Sequence, residues 1–232
     1  MKTKDFLLGV AAGAAIAVGG ILNLICKAYL TGDLATTAKI LGSFLFPVGL
    51  ITVCFLGLNL FTGKIGFLFD KKPGYPLFLV NIFIGNIVGA AFVGFLCLLC
   101  SSGPHGTAFL NSALAVTNSK SDAVTTVGGA FKTLGFACLC GILVYLAVYF
   151  FKLFKNPVLK CIGIMIPIAL FVYFGFDHCI ANAFYFSFGV GAKNPWCLLN
   201  LALAVIGNSI GAIVFHEFKK LIVKRIEKKR EA

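Results

Sequence analysis

Three histidines occur in the chain, and one of them, His178, follows Asp177 in the middle of a stretch from Cys161 to Gly191 that is otherwise apolar. An ionisable pair at that depth is costly in a membrane and marks a functional position by default. An imidazole, whose ordinary pKa lies near neutrality, can take up, pass on or lend a proton at such a position. His105 falls in a polar connection and His216 at the end of the last apolar run, so neither competes with it. The second chemistry to weigh is thiol exchange. Cys97-Leu98-Leu99-Cys100 has the spacing of a redox pair, and a membrane thiol oxidoreductase using Cys97 and Cys100 is the rival reading. The other seven cysteines are scattered through apolar segments, as expected of a small apolar filler. No cysteine pair has a histidine at ligand spacing, so no metal site is expected. No cofactor and no enzymatic activity are implied.

These residues must be positioned by membrane spans. Of 232 residues, 59% are hydrophobic and 12% charged, and the mean hydropathy is +0.99; that composition excludes a disordered chain and disfavours a soluble enzyme. Segments long enough to cross the hydrocarbon core run over Phe6–Tyr29, Ala38–Leu58, Leu77–Leu99, Leu134–Phe151 and Trp196–Phe215, and Cys161–Gly191 reads as one more span broken at Asp177-His178. The net charge of +12 does not point to nucleic acid, because seven basic residues crowd into Lys219–Ala232 and most others sit between apolar runs. Six spans place both termini on one side. With the termini inside, 15 basic residues are cytoplasmic and five (Lys27, Lys39, Lys120, Lys132 and Lys193) are outside, the distribution of a cell-membrane protein with cytoplasmic N- and C-termini. The basic tail, 218–232, reads as a helical extension attracted to anionic membrane lipid.

The spans repeat. Ile84-Gly85-Asn86-Ile87-Val88-Gly89-Ala90 is echoed by Ile206-Gly207-Asn208-Ser209-Ile210-Gly211-Ala212, 122 residues later. Phe46-Pro47-Val48-Gly49-Leu50 is answered by Ile166-Pro167-Ile168-Ala169-Leu170 at an offset of 120, and Gly57-Leu58-Asn59-Leu60 by Gly175-Phe176-Asp177-His178 at 118. Three spans per half, an odd number, make the halves antiparallel: a 3+3 inverted repeat with broken spans two and five. The chain is therefore one all-α transmembrane domain, with repeat one over about 1–100, an outer Ser/Thr/Gly-rich loop over about 101–130 and repeat two over about 131–217. Broken helices at the midplane put helix N-termini, partly positive, where an anion would pass.

Asn59-Leu60-Phe61-Thr62-Gly63 and Gly175-Phe176-Asp177-His178-Cys179-Ile180-Ala181-Asn182-Ala183-Phe184, with Gly207-Asn208 and Leu146-Ala147-Val148-Tyr149, resemble the signature segments of the formate/nitrite transporter family. The resemblance spans essentially the whole chain. It implies an aquaporin-like fold, a homopentamer with one pore per protomer, and formate, nitrite or hydrosulfide, with protons, as the transported species. It also implies a central pore histidine at His178, with Thr62 orienting it and Asn208 facing the pore. Phe46, Leu50, Leu60, Phe61, Val144 and Phe171 then correspond to the apolar collars. Members often carry an asparagine where this chain has Gly141, which suggests one substrate contact fewer. A lysine near the start of span four also recurs in the family; Lys120 and Lys132 both miss its expected spacing, and the sequence does not choose between them.

Overall fold

A computed structural model describes residues 2–190 and 194–231, with side chains to Lys224; Lys193 and the side chains at the end of the basic tail lie outside the described residues. The described residues form helices and no strands. In chain order these are α1 (Thr3–Tyr29), α2 (Ala35–Leu45), α3 (Val48–Phe55), α4 (Tyr75–Leu99), α5 (Gly103–Asp122), α6 (Val127–Leu153), α7 (Pro157–Phe174), α8 (Cys179–Phe188) and α9 (Pro195–Glu231), with a 3₁₀ segment at Ile65–Asp70. Six are long and apolar enough to cross a membrane: Thr3–Tyr29, Gly32–Phe55, Tyr75–Leu99, Val127–Leu153, Pro157–Phe174 and Pro195–Lys224. This is a multi-pass membrane protein.

Local sequence sets the boundaries. Pro47 has no N–H to donate, and α2 gives way to α3 there. Asn156 caps α7 by accepting from the N–H groups of Val158 and Leu159, with Pro157 pre-set in the first turn. Gly57 after α3 and Gly175 after α7 both have positive φ, 65° and 72°, the left-handed conformation that lets a chain leave a helix without a Cβ clash. The sixth apolar region is thus divided between α7, which alone is long enough to span, and the ten-residue α8.

The two halves close in the same way. α1 packs on α4, where a Cβ on Gly13 would lie 2.0 Å from the Asn86 carbonyl oxygen and one on Gly89 1.9 Å from that of Val10. α6 packs on α9, where a Cβ on Gly211 would lie 2.0 Å from the Cys138 carbonyl oxygen and one on Gly141 2.3 Å from that of Asn208. Small residues let backbones touch where lipid gives helices little hydrophobic reason to associate.

The segment expected to be an outer loop, 101–130, is mostly helix. Its polar residues turn inward in part: α5 buries Ala113, Thr117 and Ser121, and the Thr117 hydroxyl donates to the Tyr185 carbonyl at 2.9 Å. Tertiary packing against α8 sustains a helix that composition alone does not announce.

Candidate functional site

Each non-helical break exposes backbone groups that need partners in an apolar interior, and one buried asparagine per half supplies them. Asn86 of α4 donates Nδ2 to the carbonyls of Gly9 and Asn59, both at 2.8 Å, and its Oδ1 accepts from the Phe61 N–H at 2.8 Å. Asn208 of α9 donates to the carbonyls of Ala137 (2.9 Å) and Asp177 (2.8 Å) and accepts from the Cys179 N–H at 2.9 Å. The two breaks are held by equivalent bonds.

That arrangement sets Thr62 against His178. Their Oγ1 and Nε2 are 2.9 Å apart, and both residues are almost fully buried, at 1% and 2% exposure. His178 is also the N-cap of α8: its Nδ1 accepts from the Ala181 N–H at 3.2 Å. A ring nitrogen that accepts carries no proton, so the neutral imidazole holds its hydrogen on Nε2 and donates it to Thr62. The Phe171 ring stacks on the imidazole at 5.8 Å and meets Phe46 edge-on at 5.7 Å.

Three cavities share walls in series, and His178 lines two of them. One of about 50 Å³ is lined by His178, Phe46, Phe171, Lys120, Asn182 and Tyr185 among others. A second, of about 10 Å³, is lined by His178, Phe46, Phe171, Leu50, Leu60 and Val144, together with Ile16 and Ile168. The third, about 400 Å³, again has Leu50 and Leu60 in its wall, along with Lys64, Lys71 and Lys152. Phe46 and Phe171 therefore separate the first from the second, and Leu50 and Leu60 the second from the third. Burial lowers the Lys64 pKa from the ordinary lysine value.

Asp177 points into a polar cluster rather than toward the cavities. Its Oδ1 accepts from Lys120 Nζ at 2.7 Å, from Asn182 at 2.9 Å and from Asn200 at 3.3 Å. Of the two candidate lysines, α5 brings Lys120 here, whereas Lys132 is exposed and lies over the Phe136 ring.

Three expected residues sit elsewhere. Asn208 does not face the cavities: its amide is committed to backbone, and it lines none of the three. Phe61 packs on Phe83 at 5.0 Å, anchored by its N–H to Asn86. Gly141 is a helix-crossing position, so its missing side chain removes no contact with a cavity. Sequence reasoning missed Ile16 and Ile168, which alternate with small residues on otherwise apolar helices and carry no distinguishing signal, and Asn182 and Asn200. A lone asparagine in an apolar span was the available sign of the last two.

Cys97 and Cys100 are free thiols at the end of α4, in none of these walls. Farther off, Asp70 accepts hydrogen bonds from His216 and Lys220, and the Tyr145 hydroxyl lies 2.8 Å from His216 Nδ1. Asp70, His216 and Glu217 bring their donor atoms within 4.8 Å of one another, but the Lys220 ammonium already bonds both carboxylates. The Lys220 and His216 bonds hold the Asp70 carboxyl below its ordinary pKa.

Known proteins share this plan. The chain is 34% identical over 223 residues to the uncharacterized transporter YrhG of Bacillus subtilis, covering 90% of this chain and 80% of that one. It is 32% identical to the formate channel BtFdhC of Bacillus thuringiensis, with 91% and 83% covered. A solved pentameric formate channel with formate bound has the same fold, with a TM-score of 0.83 at 23% identity over 95% of this chain and 96% of that one. Residues 2–220 match the model of the formate/nitrite transporter family. With that match running through both asparagine-held breaks and the histidine between them, the chain belongs to the formate/nitrite transporter family.

Proposed function

We propose that the protein is a homopentameric channel for small monovalent anions of weak acids, formate, nitrite or hydrosulfide, with both termini in the cytoplasm. The observation that carries the reading is His178 in the shared wall of two cavities, with Phe46/Phe171 and Leu50/Leu60 as apolar collars. The formate channel among its relatives and the pentameric channel that shares its fold support the substrate class and the assembly. The 15-to-5 distribution of basic residues supports the orientation.

A bare ion crossing either collar loses hydration worth several kcal/mol, whereas the neutral conjugate acid does not. Lys64, Lys71 and Lys152 on one side and Lys27 on the other concentrate the anion at the mouths, Lys120 being paired with Asp177. Between the collars Nε2–H of His178 and the Thr62 hydroxyl are the polar groups, and the anion accepts hydrogen bonds from them there; the proton with which it crosses a collar as the neutral acid is taken from solvent at the mouth and returned to solvent on the far side. Val144 completes the wall of the central chamber.

Flux of formate, nitrite and hydrosulfide into liposomes, with and without a proton gradient, tests the reading with wild type and His178→Asn. Asparagine is itself a good N-cap, so α8 and the fold are retained in that variant. The expected result is a loss of the pH dependence of uptake. Unchanged flux with an unchanged pH profile would overturn the role of the imidazole.

A further inference from the structure

At the end of the molecule that holds the N-terminus, a groove of about 720 Å³ lies against the first turns of α4. Lys2, Lys71 and Lys72 line it, with one carboxylate, Asp5, that is turned toward Asn59 at 3.5 Å. The N-cap of α4, Gly74, offers no side-chain acceptor, and Pro76 stands in the first turn. The positive end of a 25-residue helix is thus left to an outside anion.

A second observation asks for more than an anion. Asn81 also lines the groove and is 1% exposed. Its Nδ2 donates to the Lys2 carbonyl at 3.1 Å, but its Oδ1 is a buried acceptor with no partner among the described residues. Such an atom calls for a donor, which the lysines have not placed there. Third, Leu77, also in the groove wall, begins a stripe of apolar residues on α4 that continues through Val80, Ile84 and Val88, spaced along one face and exposed on this chain.

We propose that this groove binds the headgroup of an anionic phospholipid, with the phosphate on Lys71 and Lys72, a headgroup hydroxyl donated to Asn81 Oδ1, and acyl chains along the α4 stripe. Phosphate, donor and apolar tail are all present in phosphatidylglycerol. Free phosphate supplies the charge and, as hydrogen phosphate, a P–OH donor, but no apolar tail for the α4 stripe. The binding itself is independent of the transport reading. Its effect on flux rests on that reading: Lys71, Tyr75 and Phe78 are shared with the 400 Å³ cavity, so the bound phosphate lies beside that mouth and opposes its positive potential.

The test is native mass spectrometry of the purified full chain in detergent, with phosphatidylglycerol, phosphatidic acid or phosphatidylcholine added. The expected result is retention of phosphatidylglycerol over phosphatidylcholine. Lys71→Ala/Lys72→Ala lowers that retention by about tenfold or more, and the equally charge-depleting Lys155→Ala/Lys160→Ala by about twofold at most. Asn81→Leu narrows the preference for phosphatidylglycerol over phosphatidic acid, which lacks the headgroup glycerol and its alcohols. Equal losses in the two lysine pairs would reduce the effect to net charge and overturn the site. Displacement of the lipid by millimolar inorganic phosphate would assign the lysines to a soluble anion instead. Because the readout is lipid retention, failure here leaves the liposome flux result standing, and the reverse.

Discussion

His178 does two jobs with one ring. Nδ1 holds the start of α8 and Nε2 meets Thr62, so the orientation of the imidazole is fixed from both edges. Thr62→Val keeps the shape of the side chain and removes the oxygen. It leaves a buried N–H without an acceptor, a loss of about 1–3 kcal/mol, and the thermal unfolding midpoint is expected to fall while the fold persists. In liposomes the same variant is expected to slow anion uptake relative to wild type. The types of these residues are readable in the sequence because an ionisable group in an apolar span is rare. The role of Asn208 is not, because its partners are backbone carbonyls that only the folded break brings within reach. Gly141 misleads for a related reason: an absent side chain looks like an absent contact, when it is the clearance for Asn208 of the facing helix.

At the level of elements, Asn86 and Asn208 are the same device used twice. Each meets one carbonyl and one N–H at a break, and ties them to one carbonyl of a neighbouring helix, Gly9 of α1 or Ala137 of α6. Asn86→Leu and Asn208→Leu are each expected to destabilise by about 2–5 kcal/mol, since a carbonyl and an N–H of the break are left without partners in a dry interior. Unfolding in a denaturing detergent series measures this, and comparable losses at the two positions are the expected signature of the repeat. The spans themselves are legible from hydropathy, and the matched Gly-Asn segments mark where the halves correspond. α5 is not legible. Its Ser and Thr residues read as a connection, and it is helical because α1, α8 and α9 give its buried face something to pack on. For the same reason spacing could not choose between Lys120 and Lys132, which differ in where α5 and α6 carry them.

Across the whole molecule, the two halves are tied at their ends as well as at the centre. Asp70, in the 3₁₀ segment that follows the first break, binds His216 and Lys220 of α9. Its pKa is lowered in the folded protein, so its contribution to stability is complete above the ordinary carboxylate range. That contribution disappears as pH falls through the lower folded value. Asp70→Asn is expected to lower the unfolding midpoint near neutrality by a small amount, about 1 kcal/mol or less for so exposed a group. The gap from wild type is expected to close on acidification, as a pair of melting curves at neutral and acidic pH would record.

The central chamber has a volume of about 10 Å³, room for one solvent molecule at the most. An anion with three heavy atoms, such as formate or nitrite, is larger than that. On the proposed pathway its passage requires Phe46, Phe171, Leu50 or Leu60 to swing aside and return, so rotamer jumps of greasy side chains would set both the pace of transport and the width that opens.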